Sequence, residues 1–170
     1  AISIADVDAG GSNVQVTLAV TNGVLTLAGT SGLTVSGNGT ATVTVTGTLA
    51  NINAALNGLV FQPTGNFNGS ANLTVTTNDQ GNTGSGGPLS DVDTVAITVN
   101  AVNDAPVNTV PAAQTMSEDG SLTFSSANGN AISIADVDAG SSNVQVTLAV
   151  TNGVLTLAGT TGLAVSGNGT

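Results

Sequence analysis

The chain has no cysteine, lysine, arginine or histidine, no tyrosine or tryptophan, and one methionine among its 170 residues. Each absence removes a class of chemistry. Without cysteine, neither disulfides nor thiol reactions hold or drive the protein. With no basic side chain against ten Asp and Glu, the formal charge is −10. Phosphate backbones and anionic lipids therefore find no cationic contact, which excludes nucleic acid and charged membrane surfaces as partners. Lacking lysine, the chain also cannot form Lys–Asn cross-links, and it offers no trypsin site, in keeping with an exposed extracellular life. No apolar run approaches the roughly 20 residues that span a bilayer, and no basic stretch precedes an apolar one at the start. A secretion signal would lie elsewhere in a longer polypeptide. With no His, Cys, Lys or Tyr, acid–base and nucleophilic catalysis would fall to carboxylates and hydroxyls alone, and aromatic platforms for sugars are missing. The composition points away from an enzyme.

What remains is mostly small aliphatic residues, threonine, asparagine and 23 glycines. AISIADVDAG stands at residues 1–10 and again at 131–140, and the identity continues: 1–40 and 131–170 differ only at Gly11/Ser141, Ser31/Thr161 and Thr34/Ala164. The chain is thus one unit of a tandem repeat and the first part of the next. Apolar residues alternate with polar ones through Val14, Val16, Leu18 and Val20, and again through Ala41, Val43 and Val45, with Thr42, Thr44 and Thr46 between. Such period-2 runs predict strands. Asn22-Gly23 predicts a two-residue hairpin leading into Val24, Leu25 and Leu27. A single helical stretch is predicted over 49–57, with Leu49, Ile52 and Leu56 on one face, Thr48 at its start and Gly58 at its end. Further strands are predicted at 59–62, around Leu73 and Val75, through Val95, Ile97 and Val99, and at 110–116 and 122–124. The glycine-rich stretch 81–87 lacks a following Lys-Ser/Thr and reads as a hairpin loop, not a phosphate cradle. Loss of alternation and two prolines, Pro106 and Pro111, mark a joint. The division expected is a first repeat over 1–102, a linker over 103–108 and the first half of a second repeat over 109–170. Spacing of about seven strands per unit predicts an all-β fold of antiparallel sandwiches with one short helical insertion.

Asp6-Val7-Asp8 and its copy Asp136-Val137-Asp138 place hard oxygen donors one residue apart on a turn. This suits Ca²⁺, which takes six to eight oxygens in loose geometry, and equally suits an acidic turn whose side chains cap backbone N–H groups. DAGGSN does not continue as an EF-hand, because Thr17 stands where the closing Glu is needed. Alternating up and down strands would bring Asp136 and Asp138 beside Asn103 and Asp104. The same parity sets Asp79, Asp91 and Asp93 at the end of the first unit that carries Asp6 and Asp8, with Glu118 at the far end of the second. For Asp91 and Asp93 a solvated strand start is the reading preferred. The threonine rows could form a binding face for ice or carbohydrate, or simply keep an exposed sheet soluble. The glycosylation-type triplets at Asn38, Asn68, Asn72 and Asn168 and the recurrent Asn-Gly pairs suit turns.

TVAITVNAVNDAP, followed by SEDG and ADVDAG, resembles the cadherin-like repeats of large bacterial surface proteins and adhesins, as do TLANINAALNGLVFQP and NFNGSANLTVTTNDQG in the middle of the unit. The resemblance implies Ig/cadherin-like sandwiches with calcium between successive domains. Carried over residue by residue, it implies Asn103 and Asp104 in the linker, Asp136 with Asp138, Asp6 with Asp8, Asp79 and Glu118 as metal ligands. The linker departs from the cadherin pattern, lacking its leading Asp and being one residue shorter before Pro106. The acidic Leu-Asp-Arg-Glu motif is also absent, with Leu49-Ala50-Asn51 standing nearest. Fewer carboxylates imply fewer or weaker calcium ions per joint. The function implied is a spacer in an extracellular, calcium-stiffened rod or adhesin stalk, whose partners are neighbouring repeats. The alternatives are a carbohydrate- or ice-binding module, or a filament subunit completed by strands from other copies.

Overall fold

The computed structural model describes residues 1–82 and 85–170. Thr83 and Gly84, in the glycine-rich stretch, lie outside them. The chain divides into two compact units, Ala1–Val102 and Asn103–Thr170.

The first unit is built on a five-stranded antiparallel sheet in the order β3-β4-β1-β6-β7. Its strands are β1 (Asn13–Val20), β3 (Thr34–Ser36), β4 (Thr42–Thr48), β6 (Gly69–Asn78) and β7 (Ser90–Val99). β1 is central because its alternation gives it one wholly apolar face. Val14, Val16 and Leu18 are completely buried and Val20 nearly so. The register sets Leu18 between Val43 of β4 and Val75 of β6, and Val16 opposite Val45. Fully burying such side chains stabilises by about 1.5–3 kcal/mol each. On the other face the register runs Ser36, Thr44, Thr17, Thr76 across four strands, and the Thr17 and Thr44 hydroxyls meet at 3.4 Å.

A two-stranded ribbon of β2 (Gly23–Thr26) and β5 (Val60–Pro63) and the helix α1 (Leu49–Leu56) supply the rest of the core. The Thr48 hydroxyl accepts from the Asn51 N–H at 3.4 Å, capping α1, which buries Ile52, Ala55 and Leu56. Asn22-Gly23 does not make the expected hairpin. Asn22 adopts the left-handed conformation (φ 59°) that such a turn uses, but both edges of β1 are already taken by β4 and β6. The chain therefore leaves the sheet, and β2 pairs with β5 instead. Glycine is needed at 23 because a Cβ there would strike the Gln62 carbonyl oxygen and the Phe61 ring.

The second unit has one short antiparallel pair, β8 (Val107–Thr109) with β9 (Ser133–Ala135). β8 begins inside the stretch expected as linker. The strands expected at 110–116 and 122–124 do not form. Pro111 removes a ladder donor, and side chains hold this region instead. Asn130, the buried polar residue, accepts from the Ser125 N–H at 2.9 Å and donates to Gln114 Oε1 at 3.1 Å. Among the described residues the fold is all-β with one helix, and no helix is long and apolar enough to cross a membrane.

Candidate functional site

Both copies of ADVDAG fold into the same turn. In the first, Asp6 Oδ1 accepts from the Asp8 and Ala9 N–H groups at 2.9 and 3.2 Å. In the second, Asp136 Oδ1 accepts from Asp138 and Ala139 at 2.9 and 3.0 Å. Each closes further with an N–H from Ser12 to the Ala9 carbonyl or from Ser142 to that of Ala139, and Gly10 and Gly140 carry φ of 54° and 52°. The leading aspartate of each pair is thus a local cap whose first oxygen is committed to its own backbone.

The joint residues come together through strand register. β8 and β9 pair Val107 with Ala135. Continuing three residues outward sets Asp104 opposite Asp138. The Asp104 N–H donates to Asp138 Oδ2 there, and the Asn103 side-chain amide donates to the Asp104 carbonyl at 3.2 Å. Asn103, Asp104, Asp136 and Asp138 therefore occupy one end of this pair. These are hard oxygen donors of the kind calcium takes, yet among the described residues no group of three or more acidic side chains converges as a ready cage. The donor chemistry fits the ion, but the Asp136 and Asp138 carboxylates are turned to backbone N–H groups.

The remaining candidates are dispersed. Asp79 Oδ1 accepts from the Gly81 and Leu89 N–H groups, both at 2.8 Å. These bonds, Gly81's first, hold its carboxyl below the ordinary carboxylate value. Asp79 thereby clamps the loop joining β6 to β7. The Asn82 side chain fastens that loop to the start of β1, donating to the Asp79 carbonyl at 2.7 Å and to the Asn13 carbonyl. Asp91 and Asp93 lie on β7 opposite Thr77 and Val75, exposed. Glu118 stands in the exposed turn closed by the Gly120 N–H on the Ser117 carbonyl.

Three asparagines organise the first unit through backbone contacts that motif reading does not assign to them. Asn53, on α1, accepts from the Ile4 N–H at 2.8 Å and donates to the Ile4 carbonyl at 2.9 Å, standing in for a neighbouring strand. Asn38 accepts from the Leu27 N–H at 2.9 Å, and its repeat equivalent Asn168 does the same for Leu157 at 2.8 Å. Asn82 is the third. None carries a periodic signal, but the recurrence of Asn38 as Asn168 within the copied stretch was a readable one. Comparison with family models, with curated proteins and with solved structures returns no match.

Proposed function

We propose that this chain is a structural spacer: cadherin-like sandwich units strung end to end in an extracellular, acidic rod, stiffened by calcium at the joint of Asn103, Asp104, Asp136 and Asp138. The observation that carries this reading is the meeting of Asp104 with Asp138 at the outer end of β8 and β9. The two aspartates at that end add negative charge to a chain with no basic side chain, which a cation would neutralise. Calcium would supply that charge and restrict the backbone dihedrals on either side of the joint. The sandwich reading draws support from the five-stranded sheet whose apolar face packs on the β2–β5 ribbon and α1. Near-identical repeats also suit a spacer, since length is gained by copying a unit.

The test is small-angle X-ray scattering of the 170-residue chain with calcium and with EDTA. The expected outcome is a longer, better-defined maximum dimension with calcium, and a broader distance distribution in EDTA. Identical distributions would sink the calcium-stiffened rod.

A further inference from the structure

We propose that Asn57 is a site of spontaneous self-modification, at which the Gly58 nitrogen displaces the side-chain amide and leaves an aspartate or isoaspartate at the end of α1. Glycine puts no side chain beside the attacking nitrogen, and the first unit carries four Asn-Gly pairs: Asn22-Gly23, Asn38-Gly39, Asn57-Gly58 and Asn68-Gly69. The fold treats them differently. For the two groups to meet, any hydrogen bond that holds the glycine N–H, the peptide between them or the asparagine side chain must first break.

Three of the pairs are held in this way. Asn38 Oδ1 accepts from the Leu27 N–H at 2.9 Å, and the Gly39 N–H donates to the Leu25 carbonyl at 2.8 Å. The peptide from Asn22 to Gly23 is fixed by the Thr64 N–H on the Asn22 carbonyl at 2.9 Å, and the Asn22 amide donates to the Ser70 carbonyl at 3.4 Å. Gly69 begins β6 opposite Val99. Because the Asn72 carbonyl accepts from Thr21 on the β1 side, alternation turns the polar groups of Gly69 toward β7, where its N–H enters the ladder.

At Asn57 nothing has to break. It is the C-cap of α1, and its own N–H goes back to the Asn53 carbonyl. Among the described residues its side chain takes no hydrogen bond, and neither does the C=O or the N–H of the peptide that joins it to Gly58. Both residues are exposed, and the φ of 102° at Gly58 is one that favours glycine there.

The reaction needs only water and base. Gly58 N gives up its proton and bonds to Asn57 Cγ; the Cγ–Nδ2 bond breaks, and Nδ2 takes a proton from solvent and leaves as ammonia, closing a cyclic imide. Water then adds to one of the imide carbonyls. Opening on one side gives aspartate, and opening on the other gives isoaspartate, with the main chain routed through Cβ. The sum is one water consumed and one ammonia released. Either product adds a negative charge to a chain already at −10, and sets it at the C-terminal end of a helix, where the helix dipole opposes it. Age would therefore loosen the end of α1, with no part played by calcium or by the joint.

The test is to age the 170-residue chain in mildly alkaline buffer with EDTA, folded and, in parallel, in concentrated guanidinium chloride. Each Asn-Gly pair is followed by peptide mass spectrometry, with a protease that cuts after Leu and Phe because the chain has no Lys or Arg. In the folded chain Asn57 should convert about tenfold faster than Asn38, the ratio that two hydrogen bonds of ordinary strength impose, and faster than Asn22 and Asn68. In denaturant, where those bonds are gone, the four rates should draw together. Asn57→Gln should abolish conversion at 57 and leave the other three rates as they were. Conversion of Asn22, Asn38 or Asn68 as fast as Asn57 in the folded chain, a ratio that persists in denaturant, or an Asn57 that survives folded while the unfolded chain converts would each overturn the proposal.

Discussion

NVQVTLAV occurs twice in this chain, and its two copies have different structures. At residues 13–20 it is β1, with Val14, Val16 and Leu18 fully buried and Val20 at 7% exposure. At 143–150 it forms no strand, and Val144, Val146, Leu148 and Val150 are 48–50% exposed. The positions that distinguish the repeats, 11/141, 31/161 and 34/164, all lie outside this stretch. Propensity and pattern are therefore identical, and what differs is the partner. β1 has β4 on one side and β6 on the other, whereas residues 143–150 pair with no strand among the described residues. A period-2 pattern states which face would be buried. Whether it is buried depends on strands that come later in the sequence.

The sharpest attack on this comparison is to truncate the same side chain in both copies. Leu18→Ala should cost about 2–5 kcal/mol in chemical denaturation, and Leu148→Ala should change stability by no more than about 0.5 kcal/mol. Equal costs would mean that the second copy is buried as the first is. Appending a further copy of residues 41–102 after Thr170 should raise the Leu148→Ala cost to that of Leu18→Ala.

A smaller effect separates the two SIA triplets. Asn53→Ala leaves both polar groups of Ile4 without their partner, and should cost about 1–3 kcal/mol in the same denaturation assay, while amide exchange at Ile134 stays unchanged. Loss of protection at Ile134 as well would show that the two triplets are not independent.

The smallest effect concerns Asp79. The Gly81 and Leu89 N–H groups favour its ionised form, so its folded pKa lies below the unfolded value of about 3.9. The stabilisation it gives is present above that value and disappears as pH falls through the folded pKa. In an NMR titration the Gly81 and Leu89 amide shifts should move together with a midpoint below about 3.9, and Asp79→Asn should abolish the transition. A midpoint at or above the ordinary value would show that the clamp is not maintained in solution.

Much of the first unit was legible because its signals are local. Alternation assigned Val14, Val16, Leu18, Val43 and Val45 to one face, and Thr48 with the apolar spacing of Ile52 and Leu56 located α1. Strand parity also set residue 104 near residue 138, but through strands at 110–116 and 122–124 that do not form; the pairing of β8 with β9 makes the approach instead. Asn22-Gly23 misled because its dihedral chemistry is the same in a hairpin as in a turn between sheets. The outcome there was decided by which edges of β1 were already taken. Residues 110–116 misled for the opposite reason: their apolar content suits a strand, but Pro111 and the Gln114–Asn130 contact hold them otherwise. Asn53 and Asn82 act through bonds to backbone 49 and 69 residues away. Separations of that size leave no trace in a window of neighbouring residues.

The turn formed by Asp6 and again by Asp136 closes on backbone groups only two and three residues ahead. Contacts that near in sequence form within microseconds or less, long before a sheet can assemble. In a chain that emerges one end first, the bend ahead of each central strand would already be in place while β4 and β6 were still to come. Vectorial folding would then start each unit from its own corner, so that repeats nearly identical in sequence need not exchange strands with their neighbours as they emerge.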